Sequence, residues 1–342
     1  MKKVFFLLIT AIAFYNLNAT VRTVNNLGGA QFFDIESAIN ASSPGDTIYI
    51  TGSPIEYVPP SSAKNGLTFI GPGFNPDKQN PHTASTYGRW LVGNSNTFIG
   101  LSLRNFAFNP NSGGDRIEGL VVKRCYIHDD LGISGCGYYS SVLYESCVVV
   151  NATLLHSNTF CPTASPVYSA TVRNCLFYNA NLYGAVSVVL NVLVDHNVFI
   201  KTSPGSIISP SPGGAQINFT NNIFSNSTAT NGGAGCIYNN NFSTLENLNI
   251  NGGTNNLQGS NPQFVNALGG SFSFSHDYHL AVGSPCIGTG TSGEDMGIYA
   301  GANPMVWQGF PPIPQMNYMN LIGTQVLQGG SLNVSFQATI KN

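Results

Sequence analysis

The sequence contains unusually few charged residues. Asp, Glu, Lys and Arg make up 8% of its 342 residues, whereas about 25% is usual in soluble domains. The formal net charge of -2 argues against the basic patches that bind nucleic acid or anionic membranes. No apolar run approaches the roughly 20 residues of a membrane-spanning helix. The 38 glycines, with plentiful Asn, Ser and Thr, indicate a neutral, polar surface instead.

The N-terminus has the composition of an export signal. Two lysines follow the first Met and precede an apolar run at 4–14, and Leu-Asn-Ala ends the segment at 17–19. This order of basic, apolar and small residues is typical of a secretory signal peptide. We therefore expect cleavage after residues 1–19, a mature chain without a membrane span, and a protein that is secreted or held at the cell surface.

The middle of the chain contains a repeated segment with the pattern apolar, any, apolar, polar, polar, reference position, any, apolar. Six stretches fit it without gaps: 101–108, 120–127, 142–149, 170–177, 192–199 and 217–224. Alternation at period two predicts short strands, and recurrence of one unit predicts a solenoid. Because the intervals between units vary while the pattern does not, loops carry the insertions. The sequence therefore predicts an all-β parallel β-helix.

The reference positions are expected to form one inward column. They are Phe106, Cys125, Cys147, Cys175, Asn197 and Asn222. Asparagine amides in such a column can hydrogen-bond from coil to coil as a ladder, and the cysteines are expected to fill the same column as small apolar side chains. The preceding residue is often Asn, which tolerates the left-handed backbone of a sharp corner.

The cysteine count bears on disulfide bonding. Seven cysteines are an odd number, so at least one thiol is free or pairs between molecules in an exported protein. Stacked thiols point the same way along the solenoid, so the column disfavours a bridge. Cys136 and Cys161, in loops between strands, are the better disulfide candidates.

The two ends of the array have patterns of their own. Residues 34–41 read as a short amphipathic helix with Asp34 as its N-cap, placed to cover the first coil. From residue 304 a Pro-rich linker leads to two strand-like runs. We therefore expect a β-helix domain over 20–303 and a linker with a C-terminal β tail over 304–342. The tail either packs along the last coils or adds to a neighbouring molecule, which would be self-association.

Several segments resemble one family. AINASSPGDTIYITGS at 38–53, LTFIGPG at 67–73 and the coils ending in Asn-Asn-x-Phe are similar to the pectate-lyase-like superfamily of right-handed parallel β-helix proteins. A second group resembles the closing segment of secreted β-helix proteins from Bacteroidetes-type bacteria: NPQFVN at 261–266, DYHL at 277–280, GSPCIGTG at 283–290 and EDMGIYAG at 294–301. The resemblance implies a right-handed β-helix over about residues 30–305. It implies no single activity, because the superfamily contains lyases, hydrolases and proteins without known chemistry.

Many of the central charges fall in one outward column, two residues before each reference position. Its members are Arg104, Lys123, Glu145, Arg173, Asp195 and Thr220. Opposite charges on neighbouring coils predict a ladder of salt bridges of about 0–1 kcal/mol each. The alternative is a saccharide groove, in which an acid binds a cation and a base removes a proton beside a uronate.

The segment VDHNVF at 194–199 is similar to the DHN segment of pectate lyases, in which the Asp helps to bind calcium. The resemblance implies calcium at Asp195 and a lyase whose base is Lys201, Arg173 or Lys123, beside Glu145. It is incomplete, because Arg173 and Thr220 stand where the family places acids. Glu294 and Asp295 are a second calcium candidate, with a backbone-capping turn as the alternative.

Further candidates fall in the loops. Tyr138, Tyr139, Phe160 and Tyr183 are expected either to stack on sugar rings or to shield loop backbone. The adjacent acids Asp129 and Asp130 lack the Gly-His-Gly or Arg-x-Lys elements of polygalacturonase-type hydrolases, so a loop with capping carboxylates is the better interpretation.

The complete solenoid pattern contrasts with incomplete catalytic sets. The sequence therefore favours a non-catalytic secreted or cell-surface protein that binds a polysaccharide or cell-surface glycan, adheres, or builds extracellular structure. It needs no cofactor, with calcium as the one alternative. Two other hypotheses stay open: a calcium-assisted, pectate-lyase-like polysaccharide lyase, and a self-assembling fibre subunit.

Overall fold

The structure is a computed structural model that describes residues 19–76, 82–108, 116–128, 133–134, 138–156, 167, 169–184, 189–208, 216–229, 235–267, 270–322 and 333–339. These residues form a right-handed parallel β-helix, so the predicted fold class is confirmed. Within this part of the chain, no helix has the length and apolarity that crossing a membrane requires.

The described elements begin with the strand β1 (Val21–Val24) and the helix α1 (Ile35–Ala41). The strands of the first coils are β2 (Thr47–Ile50), β3 (Thr68–Ile70), β4 (Arg89–Val92), β5 (Thr97–Ile99), β6 (Ser102–Leu103), β7 (Asn105–Phe108), β8 (Arg116–Glu118), β9 (Val121–Lys123), β10 (Tyr126–His128), β11 (Ile133–Ser134), β12 (Tyr138–Ser140), β13 (Val142–Glu145), β14 (Val148–Val150) and β15 (Thr153–His156).

The later strands are β16 (Ala170–Arg173), β17 (Leu176–Tyr178), β18 (Asn181–Gly184), β19 (Val192–Asp195), β20 (Val198–Ser206), β21 (Ile217–Thr220), β22 (Ile223–Thr228), β23 (Ile237–Asn239), β24 (Phe242–Ser243), β25 (Leu257–Gln258), β26 (Phe264–Asn266), β27 (Asp277–Leu280), β28 (Gln315–Ile322) and β29 (Asn333–Thr339). A short 3-10 turn spans Thr291–Gly293.

Two long parallel sheets form most of the solenoid. The ten-stranded sheet has the order β1-β2-β3-β5-β9-β13-β16-β19-β21-β23, and the eight-stranded sheet has the order β25-β24-β22-β20-β17-β14-β10-β6. From β5 to β24, each coil contributes a strand to the first sheet, turns a corner and continues into the second, whereas β1, β2 and β3 belong only to the first sheet and β25 only to the second. Small parallel sheets close the third side: β4-β7-β11, β8-β12 and β15-β18.

The core consists of side chains stacked coil upon coil. In the ten-stranded sheet the parallel registers align Phe98, Val122, Tyr144, Val172, Val194 and Phe219, all buried. In the eight-stranded sheet, Phe177, Phe199 and Phe224 stack with ring centroids 4.5 and 5.2 Å apart. Alternate residues therefore point inward, as period two predicts.

The predicted register of the first segment, 101–108, is wrong. Leu103 pairs with Ile127 of the eight-stranded sheet, and Phe98 takes the predicted place of Leu103 in the other sheet. The corner is made by Gly100, with φ +67, and a Cβ there would lie 2.9 Å from the carbonyl oxygen of Gly71. Glycine therefore marks this corner instead of asparagine, which moves the reference position from Phe106 to the buried Leu101.

The corner between the long sheets has a left-handed residue in coil after coil. Arg124, Ser146, Asn174, His196 and Asn221 have φ angles of 52, 55, 51, 52 and 57°. The residue that follows each of them points into the core, where the reference positions lie. A short side chain that accepts local hydrogen bonds is suited to this conformation.

The reference column is an amide ladder that continues as buried thiols. Asn197 donates through Nδ2 to Asn222 Oδ1 at 3.0 Å, and Asn222 donates to Asn241 Oδ1 at 2.9 Å. Asn241 donates in turn to Asn256 Oδ1 at 3.0 Å, which lengthens the ladder beyond the two members predicted. In the other direction the column holds three buried free cysteines, Cys125, Cys147 and Cys175. Cys136 and Cys161 lie outside the described residues.

Helix α1 covers the N-terminal end of the core. Asp34 Oδ1 accepts from the backbone N–H of Ser37 at 2.6 Å, which makes Asp34 the N-cap. Ile35, Ala38 and Ile39 are buried against the first coils. The helix is short because its stability comes from this apolar face rather than from its own length.

The C-terminal part of the chain folds back over the eight-stranded sheet. We call residues 270–314 the closing segment. Its side chains Tyr278, Cys286, Met296 and Ile298 form a second apolar cluster with outward side chains of the sheet, among them Val148, Leu176, Val198 and Ile223. The carbonyl oxygen of Phe310 accepts from Arg124 Nη1 at 2.8 Å. Packing against the solenoid therefore continues past residue 303, into the stretch predicted as a linker.

The last two strands form a hairpin. Strands β28 and β29 pair antiparallel with each other and with no other described strand. The strand-like runs predicted at the C-terminus therefore do not extend the parallel sheets within the part of the chain that is described.

Candidate functional site

The parallel registers bring three of the predicted site residues together. Lys123, Glu145 and Arg173 occupy equivalent positions on β9, β13 and β16. Glu145 Oε1 lies 2.9 Å from Lys123 Nζ, and Glu145 Oε2 accepts from Arg173 Nε at 2.7 Å and also from Nη2. One carboxylate thus binds two cations on neighbouring coils.

Glu145 is well buried, with 10% of its side chain exposed. Burial raises the pKa of this carboxyl, but hydrogen bonds from Lys123 and Arg173 outweigh burial and leave the pKa below its usual value. The carboxylate therefore stays ionised at neutral pH, and both cations are engaged by it. A lyase base must be free to take a proton from the substrate, and this arrangement leaves neither cation free.

Arg104 lies apart from this column. Ile99, and not Arg104, lies beside Lys123 in register. Arg104 instead pairs with Glu56 at 3.3 Å. The charged column is therefore one member shorter at its N-terminal end than predicted.

Asp195 lies next in the column, between Arg173 and Thr220 in register. Its carboxylate turns to other partners. Asp195 Oδ1 accepts from Thr220 Oγ1 at 2.6 Å and from Asn221 Nδ2 at 3.0 Å, while Oδ2 lies 2.9 Å from His196 Nδ1. Burial raises the pKa of Asp195, but the hydrogen bonds from His196 and Thr220 lower it by more, so the net shift of the pKa is downward. The carboxylate is therefore ionised, and both of its oxygens have partners.

His196 connects the solenoid to the closing segment. Its side chain is 3% exposed, and its Nε2 lies 3.3 Å from Glu294 Oε1 without hydrogen-bond geometry. Asp295 points elsewhere, and its Oδ1 accepts from the backbone N–H of Gly288 at 2.8 Å. The two acids proposed as a calcium pair therefore serve different partners, as in a capping turn. Among the described residues, no three His, Cys, Asp or Glu side chains are arranged to hold a metal ion.

Lys201 is separated from the charged column. The first part of β20 lies between Asp195 and Lys201, and Lys201 Nζ donates to Asn181 Oδ1 at 2.7 Å. Burial lowers the pKa of Lys201. The structure therefore brings Lys123, Glu145 and Arg173 into contact but leaves Lys201 beyond the next corner.

The loop candidates fall largely outside what the structure describes. Tyr138 and Tyr139 lie in β12 and Tyr183 lies in β18, but their side chains are not among the described residues. Phe160, Asp129 and Asp130 lie wholly outside them.

The outward face of the ten-stranded sheet, which we call the open face, carries two joined grooves. One, of about 410 Å³, is lined by Ser141, Leu143, Ser169, Thr171, Arg173 and Asn191 among others. The other, of about 360 Å³, is lined by Asn191, Gln216, Asn218, Gly235, Ile237 and Asn251. Asn191 borders both, so the grooves follow one another along the solenoid axis, across strands that are about 4.8 Å apart.

The lining of the grooves is chemically uniform. Hydroxyl and amide groups alternate with aliphatic side chains, and Leu193 and Ile237 on the same face are each 39% exposed. Arg173 is the one charged residue in the described lining, and it shares the carboxylate of Glu145 with Lys123. Such a surface can donate and accept hydrogen bonds and contact apolar C–H faces.

Sequence reasoning missed two features of these regions. The Asn ladder continues through Asn241 and Asn256, and the Asn-Asn pairs at 240–241 and 255–256 were the available signal. The pattern required an apolar residue two positions later, where the buried Ser243 stands after Asn241. The cover over the eight-stranded sheet was also signalled, because the position after the reference residue, treated as unrestricted, is Val148, Leu176, Val198 and Ile223 in successive coils.

Similarity to known proteins is found among solved structures. No protein-family model and no curated protein sequence matches this chain. Among solved structures it is similar to the crystal structure of pectate lyase Pel9A, with 13% sequence identity and a TM-score of 0.35, over 82% of this chain and 96% of that chain. The registers of the two long sheets therefore carry the assignment of this chain as a parallel β-helix.

Proposed function

We propose that this protein is a non-catalytic, exported β-helix protein that binds a neutral polysaccharide along the open face of its ten-stranded sheet. The observation that carries the proposal is the pair of joined grooves lined by Ser, Thr, Asn and Gln with aliphatic side chains. The proposal of export depends on the signal-like N-terminal segment.

The grooves suit a linear polymer. They cross successive coils and present similar hydroxyl and amide groups at each strand step of about 4.8 Å. Sugar residues offer hydroxyl groups to such donors and acceptors, and their C–H faces can contact Leu143 and Ile237. A chain lying along the solenoid axis would repeat these contacts, so modest contacts would add to a useful affinity.

The residues predicted for lyase chemistry support a non-catalytic role. Lys123 and Arg173 both bind Glu145, and the two oxygens of Asp195 accept from Thr220, Asn221 and His196. A calcium-assisted elimination needs carboxylate oxygens free to bind the cation and a base free to take a proton. Using these groups would first require breaking contacts that stabilise the fold.

The test introduces a large cation into the groove. We expect Thr171→Arg to abolish binding to neutral polysaccharides in affinity electrophoresis, because the new side chain fills the groove. Val282→Arg is the matched control, since Val282 is fully exposed outside the grooves and the variant has the same net charge. Binding that survives Thr171→Arg in a folded protein contradicts the proposal.

The lyase hypothesis has its own measurement. Purified protein is incubated with pectins, alginates and glycosaminoglycans, with and without calcium, and the ultraviolet absorbance of unsaturated products is followed. We expect no increase. An increase that Asp195→Ala abolishes would establish catalysis and contradict a non-catalytic role.

The C-terminal hairpin favours a second candidate function, self-assembly. Strands β28 and β29 pair with no other described strand, and an isolated two-stranded hairpin is marginally stable in water. Pairing with another molecule would satisfy its edges. If the hairpin mediates assembly, deletion of residues 315–342 converts an oligomer to a monomer in sedimentation. An oligomeric state that the deletion leaves unchanged contradicts this function.

A further inference from the structure

A separate cleft lies at the closing segment, away from the grooves of the open face. Its volume is about 210 Å³, and it is formed by β27, residues 295–300 and Ile223 of the eight-stranded sheet. Ile223 and Ile298 are apolar walls, Tyr278 and Tyr299 are aromatic ones, and His279 and Asp295 are polar. None of these side chains takes part in the proposed glycan contacts.

One wall of the cleft is a fixed aromatic stack. The rings of His279 and Tyr299 lie 3.7 Å apart and are parallel to within 2°. Asp277 Oδ1 lies 2.6 Å from His279 Nδ1 and accepts the backbone N–H of the same residue at 2.9 Å. The carboxylate therefore orients the imidazole, and the imidazole in turn supports the tyrosine ring, so this wall is pre-organised.

The electrostatic surroundings of the cleft are negative. Residues 202–340 contain no Lys or Arg, and their acids are Glu246, Asp277, Glu294 and Asp295. Burial, and then the charge of Asp277, raises the pKa of Tyr299. Burial, opposed in part by a bond to Ser284, and the charge of Asp295 raise the pKa of Cys286 to about 12. The two carboxylates thus act on neighbouring groups, and this stretch of the sequence contains no Lys or Arg to neutralise them.

From this geometry we infer that the cleft binds a small organic ammonium group, of the kind carried by an amino sugar or a choline headgroup. Aromatic faces attract ammonium groups through their ring quadrupoles, most strongly where water is excluded. The carboxylate of Asp295 supplies the opposite charge, and the apolar walls accept the rest of a small ligand. The inference does not rest on the proposed binding of a neutral polysaccharide, because the cleft shares no lining residue with the grooves of the open face.

The experiment compares charged ligands with neutral counterparts of similar shape. The full chain is titrated at about pH 7 with glucosamine against N-acetylglucosamine and with choline against 3,3-dimethylbutan-1-ol. Ligand-observed NMR reports weak binding. We expect at least one cation to bind at least about tenfold more tightly than its neutral counterpart, because the neutral ligand loses the charge interaction.

Asp295→Asn tests the site itself. The asparagine oxygen can still accept from the N–H of Gly288, so the turn is kept while the charge is removed. We expect about a tenfold loss of affinity for the cation. Glu246→Gln is the matched control, because Glu246 is an acid outside the cleft whose Oε1 accepts from Ala229, and it leaves binding unchanged. If Asp295→Asn fails to fold, Asp277→Asn removes the other nearby charge and is expected to weaken binding as well.

The outcomes separate the ligand source from the site. Selective binding of glucosamine indicates a sugar and selective binding of choline indicates a headgroup, and either supports the inference. Equal binding of charged and neutral ligands, no binding of either cation, or full affinity in folded Asp295→Asn overturns it. Thr171→Arg leaves cation binding intact, so a failure of the open-face proposal is distinguishable from a failure here.

Discussion

The outer faces of the two long sheets differ in how far their side chains are buried. On the eight-stranded sheet the outward side chains Leu176, Val198 and Ile223 are buried beneath the closing segment. On the ten-stranded sheet Leu193 and Ile237 remain 39% exposed, among Thr, Asn and an ion-paired charge stripe. The same solenoid therefore has one face covered by the closing segment and one that the described residues leave exposed.

The difference follows from the outward residue at each coil. Where outward positions are Val, Leu or Ile in four successive coils, the strands are apolar on both faces and require a cover. The closing segment can approach closely because Gly297, with φ +91, has no Cβ; one there would lie 3.0 Å from Ile223 Cδ1. Where outward positions alternate with Thr, Asn and charges, water can satisfy them, and no described segment covers them. Ligand binding is therefore expected on the open face, whose outward side chains are not needed for packing.

The largest expected effect distinguishes the faces by their contribution to stability. Ile298→Ala removes a buried side chain of the closing segment and is expected to lower the free energy of unfolding by about 3 kcal/mol, through lost burial and the cavity left behind. Leu193→Ala on the open face is the matched control and is expected to cost about 0.5 kcal/mol. Urea denaturation measures both. Equal costs would show that the open face is also covered.

The sequence predicted the solenoid because inward residues repeat at period two around a fixed corner, and the registers of Tyr144, Val172 and Val194 follow from that alignment. The prediction failed where a different type of residue takes a position of the pattern. Gly100 replaces asparagine at a corner, and Ser243 replaces an apolar core residue. In the candidate site, register placed Glu145 between two cations. It did not predict that Asp195 would bind Thr220 and Asn221 in place of Arg173, because rotamer choice is settled by local hydrogen bonds.

A smaller effect is expected at the corner that joins the two faces. His196→Ala removes the ring between Asp195 and the closing segment and places alanine at φ 52°. We expect a loss of about 2 kcal/mol, from the lost contact and the strained left-handed backbone. His196→Asn is expected to cost about half as much, since asparagine occupies this corner at Asn174 and Asn221 with similar φ. Thermal or urea unfolding measures both, and equal losses would show that backbone preference plays no part.

The ion pairs of Lys123, Glu145 and Arg173 test whether the stability of the fold depends on charges of the open face. Glu145→Gln leaves Lys123 and Arg173 without their shared carboxylate, but both are about one third exposed and water can solvate them. We expect a loss of about 1 kcal/mol in urea denaturation. Lys123→Gln, which leaves the Arg173 contact, is expected to cost about half of that. A loss of several kcal/mol for Glu145→Gln would mean that the stripe, like the covered face, supports the fold.

The smallest effect is expected at Asp195, and it is complete at neutral pH and disappears in acid. Its folded-state pKa is lowered, since hydrogen bonds outweigh burial, so its contribution to stability is complete above the unfolded pKa of about 3.9 and is lost as pH falls through the folded value. Asp195→Asn should therefore flatten the acid limb of stability against pH, measured by urea denaturation at a series of pH values. Thr220→Val removes the 2.6 Å bond to Oδ1, which raises the folded pKa part of the way and gives an intermediate slope. Three identical slopes would show that Asp195 is as well solvated as the rest of the open face, and that the corner contacts do not hold its charge.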